Sequence, residues 1–320
     1  MKRAKYVILC LAVIGCVSFD AWSQEKPKIY RLVIGTGGIA GSYYPLGGAM
    51  ARIWTQNLPN ISVSAQATGA SIENTKLMEN GEIELGLTQN DLAEYAAKKQ
   101  YMFDKEYKSL RAVATLFPEH IQIFVYKNSS IKTIADLSSN RVSVGSQGSG
   151  TLANCQQIFE LFGVSFKDIK RFYLTNVDAV DRMKDGLLDA VFVTTSAPNA
   201  AFQDLALSKD VKLLSFTDDE IKKIVAKYPF FQKVVLTKGM YKGQTEDVTT
   251  VAVLAVLIAR NDLDEQVVYN LTKTLWEKKD DLAVMMVKAK EMDPNNPVKG
   301  ITIPLHPGAE RYYKEIGKLK

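Results

Sequence analysis

Histidine and cysteine are nearly absent from this 320-residue chain, and their absence removes whole classes of chemistry. The two histidines are His120 and His306, and the three cysteines are Cys10, Cys16 and Cys155. No zinc-ligand spacing can be built from them. His120, on an alternating apolar stretch, reads as structural. A G-x-S-x-G nucleophile elbow is missing, and the loop Gly148-Ser149-Gly150-Thr151 lacks the lysine of a nucleotide-binding P-loop. Strong charge is missing too. The formal net charge is +5, and it drops to +3 once Lys2, Arg3, Lys5 and Asp20 are set aside. That is too mild for a nucleic-acid partner or a polybasic membrane patch. The most apolar run beyond the N-terminus, Val248–Ala259, is 12 residues long and suits a buried strand better than a membrane span.

The N-terminus has its own logic. A basic start, MKRAK, precedes the apolar YVILCLAVIGCVSF, and Ala21-Trp22-Ser23 supplies small residues for cleavage. Residues 1–23 are therefore expected to be a secretory signal peptide. Val13-Ile14-Gly15-Cys16 also reads as a permissive lipobox, which would leave a lipoprotein anchored at Cys16. Either route places the protein outside the cytoplasmic membrane, in the periplasm. With simple cleavage only Cys155 survives, so no internal disulfide is expected and the core must supply the stability.

About 297 residues remain, enough for two domains. Strand-like and helix-like periods alternate along them. Strands are expected over 29–35, 61–67, 84–88, 110–117, 121–127, 141–145, 169–174 and 190–194. Helices are expected over 46–58, 71–80, 91–99, 152–162 and 177–184, and helical tails over 264–276, 280–290 and 309–316. This order predicts an α/β fold with mostly parallel sheets. An internal echo strengthens it. Met78-x-x-Gly81-x-x-Glu84 leads to Thr88, and Met183-x-x-Gly186-x-x-Asp189 leads to Thr194. Each follows a glycine-rich loop, so two similar lobes are expected, joined by two extended crossings. Glu84 and Asp189 occupy equivalent places and read as structural.

The glycine loops carry the functional expectation. VIGTGGIAGSYYPLGG opens with Gly35-x-Gly37-x-x-Ala40, a permissive dinucleotide fingerprint. The acid that should follow about 20 residues on is missing from Ala65-Gln66-Ala67-Thr68-Gly69. No nicotinamide or other cofactor is expected. Each loop instead follows a strand and opens a helix, where unpaired N–H groups and the helix dipole favour an anion. Hydroxyls crowd both loops, and neither contains a lysine or arginine. The candidate ligand-binding residues are Thr36, Gly37, Gly38, Ser42, Tyr43 and Tyr44 in the first loop. Thr68, Ser71 and Asn74 follow in the next. Gln89 and Asp91 sit at the third strand, Ser146, Ser149, Gly150 and Thr151 in the second glycine loop, and Thr195 and Ser196 after the last strand of the repeat. One tyrosine could cover a ligand while the other packs inward. Gln89 suits an amino or a keto group. Asp91 could read a ligand ammonium or cap the following helix.

The stretches IGTGGIAGSYYPLGGAMA (34–51), QATGASIEN (66–74), GEIELGLTQND (81–91), VGSQGSGT (144–151), GLLDAVFVTTSAPNAAFQDLA (186–206) and LHPGAERYYKE (305–315) resemble the TAXI family. These are solute-binding proteins of tripartite ATP-independent periplasmic (TRAP) transporters. The resemblance implies a two-lobe, type II periplasmic-binding-protein fold with two hinge strands. Lobe 1 would take residues 24–122 and 260–320, and lobe 2 residues 123–259. It also implies capture of a small carboxylate, such as glutamate or 2-oxoglutarate, by a monomer that is not an enzyme. Delivery would be to an integral-membrane TRAP permease driven by an ion gradient. Residues 38–41, Gly-Ile-Ala-Gly, and 193–198, Val-Thr-Thr-Ser-Ala-Pro, depart from the family pattern and leave the ligand open. A module feeding a sensor or another transporter, or a secreted enzyme using Asp91 as base, are the competing readings.

Overall fold

The computed structural model describes residues 28–320. The expected signal peptide and the lipid site at Cys16 lie outside these residues. Strand and helix alternate at first: β1 (Tyr30–Gly35), α1 (Tyr43–Asn57), β2 (Ile61–Gln66), α2 (Ser71–Glu79), β3 (Leu85–Gln89) and α3 (Asn90–Ala97). Leu46, Met50, Ile53 and Trp54 put one apolar face of α1 into the core, and Trp54 Nε1 donates to the Leu271 carbonyl at 2.9 Å. In β2, Ile61 and Val63 are buried while Ser62 and Ser64 face out, the period of a half-buried strand.

A long strand, β4 (Leu110–Tyr126), leads into β5 (Arg141–Ser143), α4 (Gly150–Leu161), β6 (Lys170–Phe172), α5 (Asn176–Lys184) and β7 (Ala190–Thr195). No expectation from hydrophobic period covers residues 196–247. They form α6 (Ala200–Ser208), β8 (Val211–Leu213), α7 (Asp218–Lys227) and β9 (Gln232–Leu236). The chain then returns through β10 (Val248–Arg260) and ends in α8 (Glu265–Glu277), α9 (Lys279–Met285) and α10 (Pro307–Glu315).

These strands make one mixed sheet in the order β2-β1-β3-β10-β4-β7-β5-β6, with β8 on β4 and β9 on β10. The sheet is parallel at both ends, β1 with β2 and β3, β5 with β6 and β7. It is antiparallel in the middle, where β4 and β10 lie side by side from Leu110↔Arg260 to His120↔Ala252. Two separate strands were expected where β4 runs unbroken. Pro118 lies opposite Leu254, next to a register shift, where a missing N–H is tolerated. The single helix expected over 280–290 is also two pieces. Met286 is extended, and a 3₁₀ turn over Val287–Glu291 redirects Ala289 into the core. The α8–α10 tail shares one apolar cluster with β1 and α1, through Val268, Leu271 and Tyr313.

The repeated acids do matching work. Glu84 accepts from the Val33 N–H at 2.9 Å and pairs with Arg260. Asp189 accepts from the Arg141 N–H at 2.8 Å and takes the Arg141 guanidinium on both oxygens. Each pins the start of its own strand to a neighbour. Gly81 and Gly186 close the preceding helices at φ 77° and 72°, a conformation that favours glycine. Among the described residues, no helix is long and apolar enough to cross a membrane, and no cluster of His, Cys, Asp and Glu could hold a metal ion.

Candidate ligand-binding site

Four helices begin at the wall of one cavity of about 590 Å³, within the roughly 300–1,000 Å³ usual for small-molecule sites. Tyr43 opens α1, Ser71 opens α2, Gly150 and Thr151 open α4, and Asn176 to Asp178 open α5. The strands deliver these helix starts to one place because β1, β2, β5 and β6, the strands before them, all end there. Neither α1 nor α2 has a side-chain cap, whereas Ser149 and Thr175 cap α4 and α5 on Leu152 and Asp178. The first N–H groups of a helix have no partner inside it, and the dipole makes that end electropositive. Four such dipoles around one cavity favour an anion. Free N–H groups stand at α1 and α4, while the Gly148 carbonyl takes the Ile72 and Glu73 N–H groups of α2 and Asp178 places a carboxylate at α5.

The lining contains no lysine, arginine, histidine or cysteine. Its carboxylates are Glu119 and Asp178. Of the residues expected from the sequence, Gly37, Gly38, Tyr43, Thr68, Ser71, Gln89, Ser146, Ser149, Gly150, Thr151 and Thr195 come together on this wall. The others stand elsewhere, each for a local reason. Thr36 is buried, donating to the Gln66 carbonyl at 2.6 Å. Asn74 is spent on scaffold, its Nδ2 donating to the carbonyls of Thr36 at 2.6 Å and Leu87 at 2.7 Å. Tyr44 is exposed beside the helix start and does not reach the cavity. Asp91 turns away and accepts from Asn154 Nδ2 at 3.1 Å.

Ser42 and Ser196 belong to a bridge instead. Ser42 Oγ lies 2.6 Å from Ser196 Oγ and 3.0 Å from Thr195 Oγ1. Further bonds tie the same two sides. The Gly148 carbonyl accepts from the N–H groups of Ile72 and Glu73, and Asn199 Nδ2 donates to the Ala40 carbonyl. Gln157 Nε2 donates to the Tyr95 hydroxyl at 3.0 Å. The first glycine loop thus meets the segment after β7, and the second meets the start of α2.

Glu119 is the residue that sequence reasoning missed. It sits in β4, buried, and accepts from the Tyr43 hydroxyl at 2.6 Å. The signal was present: one acid inside the run Leu116-Phe117-Pro118-Glu119-His120-Ile121, which otherwise reads as core. Burial pushes its carboxyl up to about 8; the hydrogen bond from Tyr43 opposes this and the charge of Asp91 adds to it. Burial also raises Asp91 to about 7 and lowers His120 to about 4.

These altered proton affinities fix a pH dependence. Between about pH 4 and pH 8 the folded chain holds protons on Glu119 and Asp91 that the unfolded chain releases. Their contribution to stability therefore falls as pH rises through that window. His120 acts below about pH 6.5, where the unfolded chain binds a proton the folded one refuses. Glu119→Gln is expected to raise unfolding free energy at pH 8 by ~2–4 kcal/mol and to change it little at pH 5, because each tenfold change in proton affinity corresponds to about 1.4 kcal/mol. Urea unfolding at the two pH values checks this; an equal effect at both refutes it.

Likeness to solved structures follows the fold. The alkanesulfonate-binding protein SsuA from Xanthomonas axonopodis pv. citri, bound to MOPS, superposes with a TM-score of 0.50 at 17% identity, covering 90% of this chain and 84% of that one. A putative L-cystine ABC transporter protein from Listeria monocytogenes gives 0.53 at 14%, covering 82% and 98%. An ancestral arginine-binding protein bound to arginine gives 0.50 at 16%, covering 80% and 97%. At these identities the likeness establishes the α/β fold of periplasmic binding proteins. A family match runs through nearly all the described chain, from residue 34 to residue 317, and by it the protein belongs to the NMT1-like family.

Proposed function

We propose that this chain is an extracytoplasmic solute-binding protein that holds a small organic acid or acidic amino acid in the cavity. The observation that carries the reading is the convergence of four helix starts on a lining with hydroxyls but no basic side chain. A carboxylate there would be held by neutral donors. Each hydrogen bond to a charged group contributes about 1.5–3 kcal/mol, so four supply on the order of 6–12 kcal/mol before ordering costs. Micromolar binding needs about 8 kcal/mol.

In this reading the protein works in the periplasm after removal of residues 1–23. The lobes are 24–122 with 260–320, and 123–259, hinged on β4 and β10. Ligand would settle on one lobe, and the closed state, bridged through Ser42, Ser196 and Gly148, would be selected by its higher affinity. The TAXI-like motifs favour delivery to a TRAP permease. Capture of a charged solute is also what the alkanesulfonate- and arginine-binding proteins of this fold are named for.

The test is a melting-temperature screen on protein that has been unfolded, dialysed and refolded. Glutamate, glutamine, 2-oxoglutarate, succinate, malate and neutral sugars are compared. One acid is expected to stabilise the fold by about 2.7 kcal/mol at a hundred times its Kd. Ser149→Ala should weaken that rise, because Ser149 lines the cavity and caps α4 through the Leu152 N–H. A flat response to every acid removes the carboxylate reading.

A further inference from the structure

The cavity has a second pole. Glu119 lines it with 4% of its surface exposed, and one oxygen takes the Tyr43 hydroxyl. Gln89, 2% exposed at the end of β3, lies on the same lining, and its Oε1 has no partner. Thr194 Oγ1, on the same lining, is also buried without a partner. Acceptors therefore gather at Gln89 Oε1 and Glu119, while the helix starts of α1 and α4, which neither Asp178 nor Gly148 occupies, offer donors. No basic side chain of the lining balances Glu119.

This arrangement discriminates between acids of one carbon skeleton. A dicarboxylate or a keto acid presents acceptors at both ends: one end would meet Gln89 Oε1 acceptor to acceptor, and it could lie beside Glu119 only while Glu119 keeps its proton. A primary ammonium presents three donors and no acceptor. We infer that the acid selected by this site carries a primary ammonium group that sits against Glu119 and Gln89 Oε1, so that the ligand is an amino acid zwitterion rather than its keto or hydroxy analogue. The inference rests on the proposed carboxylate site and assigns its opposite end. Asp91, the ammonium reader that the sequence offers, does not line the cavity; Glu119 does.

The surroundings of Glu119 supply an independent signature. Tyr43 of α1 and Asp91 of α3 face it, and His120 follows it on β4 with its proton affinity lowered by burial and by Lys288. Burial holds the Glu119 carboxyl largely protonated near pH 7. An ammonium placed beside it favours the ionised form. Binding an amino acid should then release a proton to solvent, and binding a keto acid should not.

Titration calorimetry on the refolded full chain decides the matter. The probes are three pairs: glutamate with 2-oxoglutarate, aspartate with oxaloacetate, and alanine with pyruvate. Each is titrated at pH 7 in phosphate and in Tris, into the wild type and Glu119→Gln. The amino member of the binding pair is expected at least tenfold tighter, with heats that differ between buffers as net proton release requires. Glu119→Gln should bring the two members within about threefold. A keto member bound as tightly as its amino partner by the wild type overturns the inference and leaves the carboxylate site standing. Failure of every probe of both kinds removes the carboxylate site, and the inference with it. Should Glu119→Gln fold poorly, the pair preference and proton release of the wild type decide alone.

Discussion

Gly308→Ala lowers the unfolding free energy by about 3 kcal/mol, the upper part of the range for overpacking a tight contact. Gly308 lies in the first turn of α10, just after the cap His306, whose Nδ1 accepts from the Gly308 N–H. A methyl group built there would lie 2.2 Å from the Glu265 carbonyl oxygen, 2.5 Å from the Tyr269 nitrogen and 3.1 Å from the Val268 carbonyl carbon. All three are backbone atoms of α8, so no change of rotamer relieves the overlap. The two helices must part, and the cluster containing Val268, Leu271, Ala309 and Tyr313 opens with them. At roughly 2–4 °C per kcal/mol for a chain of this order of size, melting should fall by about 6–12 °C. Gly48→Ala is the comparison. It lies inside α1 with nothing within 4 Å of the added carbon, so helix propensity should stabilise by about 0.5–1 kcal/mol. A Gly308→Ala protein that melts with the wild type would mean that α10 does not pack on α8 as described.

Much of this architecture is legible before any coordinates. β1 to α3 follow from period and turn chemistry, and the Met-x-x-Gly-x-x-acid echo identifies the paired strand anchors Glu84 and Asp189. What period cannot see is pairing. β4 looks like two strands because Pro118 interrupts the run, yet its neighbours β10 and β7 carry it through. The anchors of α6 and α7 are caps at Asn199 and Thr217 rather than long apolar stripes, so residues 196–247 yield little to a reading by hydrophobic period.

The site divides along the same line. Residues at helix starts are legible, because a glycine loop followed by a helix fixes where its N–H groups point. Whether a particular side chain faces inward is a matter of rotation about one helix turn. Tyr43 goes in and Tyr44 goes out, and adjacent positions on α1 do not share a face. Asn74 and Thr36 are polar and near the loop, but they satisfy carbonyls at strand ends, work that a sequence does not announce. Glu119 comes from a crossing strand far from either loop. Its importance appears only when β4 is laid beneath them.

Gly150→Val should cost at least a hundredfold in affinity for the acid that gives the largest thermal rise, with the fold kept. Gly150 is the first residue of α4, and Gln89 reaches across from β3 to lie on it. A carbon added at Gly150 would stand 2.3 Å from Gln89 Oε1 and 2.6 Å from its Nε2. The obstructing atoms are the end of a flexible side chain, so the amide can swing away and the core is spared. Stability should change by about 1 kcal/mol or less, the scale of a Gly substitution that meets no backbone. The amide cannot swing and keep its place, however. It removes Oε1 from the ligand and displaces the Gln89 amide from the start of α4. A hundredfold loss is about 2.7 kcal/mol, which matches one or two hydrogen bonds to charged groups. Solution scattering should show the variant remaining extended when the wild type contracts on adding the acid. Undiminished affinity would place the ligand somewhere other than between Gln89 and the start of α4, and the proposed site would have to move with it.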